Sequence, residues 1–162
     1  MSKPTVYRID CNVFRPVPPP HRLLSSLSER LLLAFRSLKG HSYYYCEECG
    51  KLCAYLFLKH NYLGYYTFME KSDLLLNPYM TLPPYRRRGY ASALLERAVK
   101  DAAESGHTIY AVVVADNVAS QQVLLKEGFM LEGYVTHTLE TIRRSKLTKT
   151  HTPTNLLLFV RK

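Results

Sequence analysis

The sequence predicts a mixed α/β protein (α+β in its segregation): a central, mostly antiparallel sheet with helices on its faces. Two strand-like runs, Ser42 to Glu47 and Leu52 to Lys59, flank a short turn, as in a hairpin. Further on, a strand, an amphipathic helix and a near-continuous apolar run follow one another, as in a βαβ unit. The 162 residues are 47% hydrophobic and 22% charged, which fits one packed domain and excludes a disordered chain.

Thr5 to Val13 alternates weakly and reads as a first strand. Pro16, Pro18, Pro19 and Pro20 force an extended connection, because proline fixes φ and cannot donate to a ladder. From His21 to Lys39, Leu24, Leu27, Leu31, Ala34, Phe35 and Leu38 recur at helical spacing, and Gly40 is a C-terminal stop. The hairpin follows, with Glu48, Cys49, Gly50 and Lys51 as its turn. Tyr62 to Met69 reads as another β region, and Leu74 to Leu82 as one interrupted at Pro78.

Ala91 to Glu104 places Ala91, Leu94, Leu95, Ala98 and Ala102 on one stripe, and Gly106 ends this helix, with His107 capping it. Ile109 to Ala115 is a buried strand. Asn117 and Ser120 suit the start of a short helix through Lys126, stopped by Gly128. Phe129 to His137 and Asn155 to Val160 are the last strands, and the basic stretch Arg143 to Thr152 reads as a surface loop between them.

The net charge is +9, from 22 Lys+Arg against 13 Asp+Glu. A small basic protein meets nucleic acid, a membrane surface or a phosphate-rich small molecule. No apolar run approaches the roughly 20 residues of a membrane span, and Met1 to Arg15 lacks the apolar region of a secretory signal. Four cysteines in a chain this long make no disulfide framework, so a reduced, cytoplasmic protein is expected.

Arg86-Arg87-Arg88-Gly89-Tyr90-Ala91 joins a strand end to a helix start. The first N–H groups of a helix lack intrahelical partners and sit at its positive end, which suits a pyrophosphate. Gly89 permits close approach and Ala91 is small. The plain alternative is a solvated basic turn.

The wider segment Leu82-Pro83-Pro84-Tyr85-Arg86-Arg87-Arg88-Gly89-Tyr90-Ala91-Ser92-Ala93-Leu94-Leu95 resembles the acyl-CoA-binding motif of the GNAT superfamily of N-acetyltransferases. The pattern Arg/Gln-x-x-Gly-x-Gly/Ala is met by Arg86, Gly89 and Ala91. A second block, Asn117-Val118-Ala119-Ser120 through Lys126-Glu127-Gly128-Phe129, is similar to the family's later motif. The resemblance implies a GNAT-like fold over residues 1–162, with helices on both faces of a sheet splayed at the acyl-CoA site.

It also implies N-acetyl transfer from acetyl-CoA to a primary amine by direct attack in a ternary complex. Backbone N–H groups of Arg87 to Ala91 would hold the pyrophosphate, with Arg86, Arg87 and Arg88 adding charge. The main chain of Met80, Thr81 and Leu82 would pair with the pantetheine arm, and the N–H near Met80 would polarise the thioester carbonyl. Asn117 would contact the pantetheine, with Ser120 and Lys126 nearby. The family's tyrosine acid falls at Leu124 here, which leaves Tyr79, Tyr134 and Tyr90 as candidate acids. Glu70, Asp73, His60 and His137 are candidate bases.

By resemblance the acceptor is a small metabolite or amino sugar. A protein or peptide N-acetyltransferase and a non-catalytic acyl-CoA sensor are the alternatives. A nucleic-acid binder using Arg143 to Lys149 is the competing class, disfavoured by the lack of any basic stripe among the tyrosines. A homodimer stays open.

Cys46, Cys49 and Cys53 look like half a zinc site, but structural zinc wants four ligands, and the hairpin reading makes Cys46 and Cys53 strand residues. No metal is expected. The 13 tyrosines, with no tryptophan, fit solvent-facing strands, base stacking or an aromatic acceptor site.

Overall fold

A computed structural model describes residues 4–11, 40–61, 64–141 and 144–162. The helix expected from His21 to Lys39 and the four clustered prolines before it lie outside the described residues. The chain forms two compact units: Met1–Lys59 with Pro78–Ala98, and His60–Asn77 with Val99–Lys162. No helix among the described residues is long and apolar enough to cross a membrane.

In the first unit, β1 (Tyr7–Cys11), β2 (His41–Glu48) and β3 (Lys51–His60) form an antiparallel ladder, and β4 (Leu74–Thr81) is next in strand order. The first strand starts at Tyr7 rather than at the expected Thr5, and its expected end at Val13 lies outside the described residues. The hairpin turn tightens to Cys49 and Gly50, with φ of 51° and 70°. Two left-handed central residues match the twist of the flanking strands.

Cys46 pairs with Ala54 and Glu47 with Leu52, so Cys53 is an extra, bulged residue. Because of the bulge, Leu52 packs on the same face as Tyr55 and Phe57, against a core that also holds Cys11 and Tyr43. Burying each side chain of this size stabilises by about 1.5–3 kcal/mol, so the aromatic core holds the register. Cys53 to Leu58 are all buried.

In the second unit, the start of β4 pairs in parallel with β5 (Ile109–Val114), and β8 (Leu156–Arg161) lies antiparallel between β5 and β6 (Met130–Thr141). Parallel and antiparallel pairs thus share a mixed sheet. Pro78 does not interrupt β4; the β5 ladder covers only Leu74 to Leu76, upstream of the proline.

The basic stretch from Arg143 is not a loop. Arg144–Thr150 forms β7, antiparallel to β6. Its one apolar side chain, Leu147, is buried with Val135, Leu158 and Val160, and that is enough to fix which face turns inward. The β region expected from Tyr62 to Met69 is also corrected: 64–69 is a turn carrying a single bridge, Tyr66 to Leu147. Buried Asn61 ties it, its Nδ2 donating to the carbonyls of Tyr66 (2.7 Å) and Met69 (3.0 Å). Tyr65, Tyr66 and Phe68 pack against the Leu147 core. Their bulk serves packing rather than strand formation.

Two helices are described. The first, α1 (Tyr90–Glu104), has residues in both units. Its end is closed by Gly106 N–H on the Ala103 carbonyl and His107 N–H on the Ala102 carbonyl. The second, α2 (Val118–Lys126), ends the same way at Gly128 and Phe129. Arg161 Nη1 donates to the Glu127 carbonyl at 2.6 Å, and a Cβ on Gly128 would collide with that guanidinium.

Candidate active site: an open helix start beside a strand end

The segment between β4 and α1 belongs to the first unit. Leu82 N–H donates to the Cys53 carbonyl at 2.9 Å, a 3-10 turn covers Pro83–Tyr85, and Arg86 N–H returns to the Pro83 carbonyl. Arg87 then adopts φ 62° and Gly89 φ 81°. A left-handed arginine is strained by about 1–3 kcal/mol. Alternation of this kind turns successive N–H groups into a concave nest for anions.

The first helical bond of α1 runs from Ala93 N–H to the Gly89 carbonyl at 3.0 Å. Gly89 has no side chain to cap the helix, and no acidic residue lies in the first turn. The N–H groups of Tyr90, Ala91 and Ser92 therefore project from the positive end without an intrahelical acceptor. Helix α2 is the contrast: Asn117 Oδ1 accepts from Ser120 N–H at 3.2 Å, so that start caps itself.

The three arginines do different things. Arg86 Nε donates to the Thr81 carbonyl at 3.3 Å. Arg88 Nη1 meets Glu48 Oε2 at 3.3 Å, with its guanidinium carbon 5.7 Å from the Tyr85 ring centroid. Arg87 is exposed. Tyr90 is buried and packs edge-on to Tyr85. Burial, then Cys53 and Glu48 beside its hydroxyl, push Tyr90 up to about 12. Tyr90 is thus an anchor between α1 and the β2–β3 turn, and sequence alone did not connect Glu48 to this loop.

At the end of β4, Tyr79 is half-buried and Met80 is 46% exposed. Tyr55 Oη donates to Met80 Sδ at 3.8 Å. Thr81 Oγ1 is buried with no hydrogen-bond partner among the described residues. Leu82 already bonds through its N–H to Cys53 and through its carbonyl to Tyr85, so its main chain is occupied.

The remaining expected site residues lie in the second unit. Asn117 caps α2, Ser120 supplies the capped N–H, and Lys126 is exposed in the last turn. Gln121 Nε2 donates to the Ala115 carbonyl at 2.8 Å and steadies the same turn. Leu124, where the resemblance expects an acid, is a buried core residue. Tyr134 follows a register shift between Leu131 and Gly133.

Of the candidate bases, His60, Glu70 and Asp73 come together. Asp73 Oδ2 accepts from Glu70 N–H at 2.7 Å, and His60 Nδ1 lies 3.1 Å from the Ser72 carbonyl. The His107 ring packs edge-on to His60 at 5.4 Å, and burial holds His60 below its usual range. His137 is exposed on β6, apart from that cluster.

Cys46 and Cys53 are buried and Cys49 is exposed in the turn. Burial, then Cys53, pushes the Cys46 thiol up to about 12, which keeps it protonated in the free protein. Among the described residues no group of three His, Cys, Asp or Glu is set to hold a metal.

An uncapped helix start, a nest of backbone N–H groups before it and an exposed strand end suit a phosphate-bearing ligand. The acetyltransferase (GNAT) family model matches residues 6–129, and the chain belongs to that family. It is an acyltransferase with acetyl-CoA as its co-substrate.

Among solved structures, it is similar to the ribosomal-protein-S18-alanine N-acetyltransferase of Escherichia coli, with TM-score 0.64 and 15% identity over 96% of this chain and 92% of that one. A GNAT family acetyltransferase from Elizabethkingia anophelis with acetyl-CoA bound gives 0.63 and 11% over 97% of each chain. A Bacillus subtilis acetyltransferase in complex with CoA gives 0.61 and 11% over 96% of this chain and 97% of that one. At these identities the likeness is one of fold. No curated protein sequence matches the chain.

Proposed function

We propose that the chain acetylates a primary amine of a small metabolite or amino sugar by direct attack on acetyl-CoA in a ternary complex. The observation that carries this reading is the start of α1, where Gly89 offers no capping side chain to the N–H groups of Tyr90, Ala91 and Ser92 and the first turn holds no acidic residue. With the left-handed Arg87 before them, they form an anion site at the position of the family's pyrophosphate motif. Arg86 and Arg88 line the loop while bonded to Thr81 and Glu48, so their charge is shared with the protein.

The pantetheine partners narrow to Met80 and Thr81, since the Leu82 main chain is occupied. Past Leu76, β4 has no further pairing with β5, which supports an unpaired main-chain edge there. On the resemblance we also assign Asn117, through its side-chain NH2, together with Ser120 and Lys126. Holding amine and thioester together removes the entropic part of the barrier. Tyr79 or Tyr134 returns the proton to the leaving thiolate.

We read the 162 residues as one acetyltransferase domain, since one family model runs through residues of both units. We place it in the cytoplasm, in keeping with free cysteines. The buried Leu124 favours one second reading, a domain that binds acyl-CoA without turnover. Thiol release from acetyl-CoA, followed over an amine panel, separates the two: turnover on any amine supports the enzyme, and CoA binding without turnover supports the sensor. Tyr79→Phe and Tyr134→Phe are then compared. Loss of kcat in one assigns the acid, and near-normal kcat in both removes both from that role.

A further inference from the structure

The Glu48 carboxylate has a second partner besides Arg88. The Tyr90 hydroxyl hydrogen-bonds with it and with the Cys53 thiol. A phenol has one proton to give. The Cys53 thiol directs its own proton to the Lys51 carbonyl at 3.4 Å and is the weaker acceptor, so the hydroxyl donates mainly to the carboxylate. Burial, then Cys53 and Glu48, raise the Tyr90 phenol to about 12, which keeps that proton on the oxygen and makes Tyr90 a poor acid.

Arg88 and Tyr90 flank Gly89, whose φ of 81° turns the chain into α1. One carboxylate at the end of β2 thus grips both sides of that glycine. The segment is pinned at its other end too, where Leu82 N–H donates to the Cys53 carbonyl at 2.9 Å. Between the pins, the Tyr85 ring packs edge-on to Tyr90, with centroids 6.2 Å apart, and lies under the Arg88 guanidinium. All of these residues belong to the first unit. The half-exposed pair of Arg88 and Glu48 holds weakly on its own. Tyr90 is only 8% exposed, so its hydrogen bond forms where water competes little. That second grip keeps a left-handed Arg87 from relaxing.

We propose that Glu48 and the Tyr90 hydroxyl form a clamp that positions the N–H groups at the start of α1 for the pyrophosphate of CoA. Tyr90 is then a positioning residue of the cofactor site, not a proton donor to the thiolate. Glu48 has two opposed effects. Its charge holds Arg88 back, and its acceptor oxygen holds Tyr90 in place. The inference rests on the acetyl-CoA reading of this site and deepens it, because donors fixed in advance lose less freedom when the anion binds.

The test measures CoA and pantetheine affinity by calorimetric titration of the parent, Tyr90→Phe, Glu48→Gln, Glu48→Ala and the double variants. Tyr90→Phe removes the hydroxyl and keeps the ring against Tyr85. CoA should bind it about fivefold or more weakly, with pantetheine, which lacks the pyrophosphate, unchanged. Glu48→Gln keeps an oxygen for Tyr90 and Glu48→Ala does not, while both free Arg88. Glu48→Ala should therefore bind CoA about fivefold or more weakly than Glu48→Gln. In the Glu48→Ala background Tyr90→Phe should add less than about twofold, and in Glu48→Gln it should keep its full effect. Unchanged CoA affinity in Tyr90→Phe, equal affinity of the two Glu48 variants, loss of CoA and pantetheine binding alike, or the same Tyr90→Phe effect in every background overturns the proposal. Glu48 is half-exposed, so its two variants decide the matter even where Tyr90→Phe folds poorly. A parent that binds pantetheine as tightly as CoA overturns the reading beneath it instead.

Discussion

Arg88 reaches across from the loop before α1 to Glu48 at the end of β2, with Nη1 and Oε2 3.3 Å apart and 40 residues between them in sequence. The ion pair ties the hairpin turn to the loop before α1. On the proposed reading it also shares with the protein a charge that a pyrophosphate would draw.

Glu48→Gln should therefore change binding more than stability. Both side chains are 46% exposed, and a pair of that kind contributes about 0–1 kcal/mol. Released from its partner, Arg88 should tighten CoA binding about two- to fivefold at low salt, with the gain fading as ionic strength rises. Calorimetric titration at two salt concentrations measures this; weaker binding in the variant contradicts the assignment.

Ala91→Asp should separate folding from binding. A carboxylate in the first turn of α1 stabilises the helix by about 0.3–1 kcal/mol. The same charge repels a pyrophosphate at that turn, so CoA affinity should fall more than tenfold while the melting temperature holds or rises.

Asn117 has two groups with two roles. Asn117→Ala removes the cap of α2 and should cost about 1 kcal/mol. Asn117→Asp keeps the capping oxygen, replaces the NH2 with a second oxygen and adds a negative charge. Its stability should match the parent, while its KM for acetyl-CoA rises several-fold. Equal KM values would remove Asn117 from the pantetheine site.

His41 gives the fold an acid limit. Burial, then Lys59, lowers it from 6.5 to about 4. The unfolded chain takes up a proton below pH 6.5 that the folded chain refuses until about pH 4. Stability attributable to His41 is therefore complete above pH 6.5 and falls as pH drops through that window, by up to about 3 kcal/mol. Denaturant titrations at pH 7.5 and 4.5 should show the fall, and His41→Gln should flatten it.

The parts of the fold that follow local pattern are legible in the chain. The hairpin shows as two strand-like runs around a turn, α1 through its periodicity, β5 as an apolar run and α2 through Asn117 and Ser120 at its start, and Gly106 and Gly128 close the helices as their positions predict. What escaped depends on distant partners. β7 carries a single inward apolar residue, Leu147, and only its pairing with β6 makes it a strand. The aromatic run at 65–68 reads as a strand until the Asn61 side chain bends it.

The candidate site divides the same way. Arg86, Gly89 and Ala91 stand in a recognisable spacing, and the open helix start follows from it. The hold of Glu48 on Arg88 joins residues 40 apart in sequence, and it depends on the two-residue turn at Cys49 and Gly50 that ends β2 at Glu48.

The most direct measurement is the affinity of the protein for CoA against pantetheine, which lacks the pyrophosphate, in the parent and in Ala91→Asp. The account predicts that the parent binds CoA at least a hundredfold more tightly, and that the variant loses most of that difference while pantetheine binding stays the same. Pantetheine binding as tightly as CoA, or an unchanged difference in the variant, would contradict it.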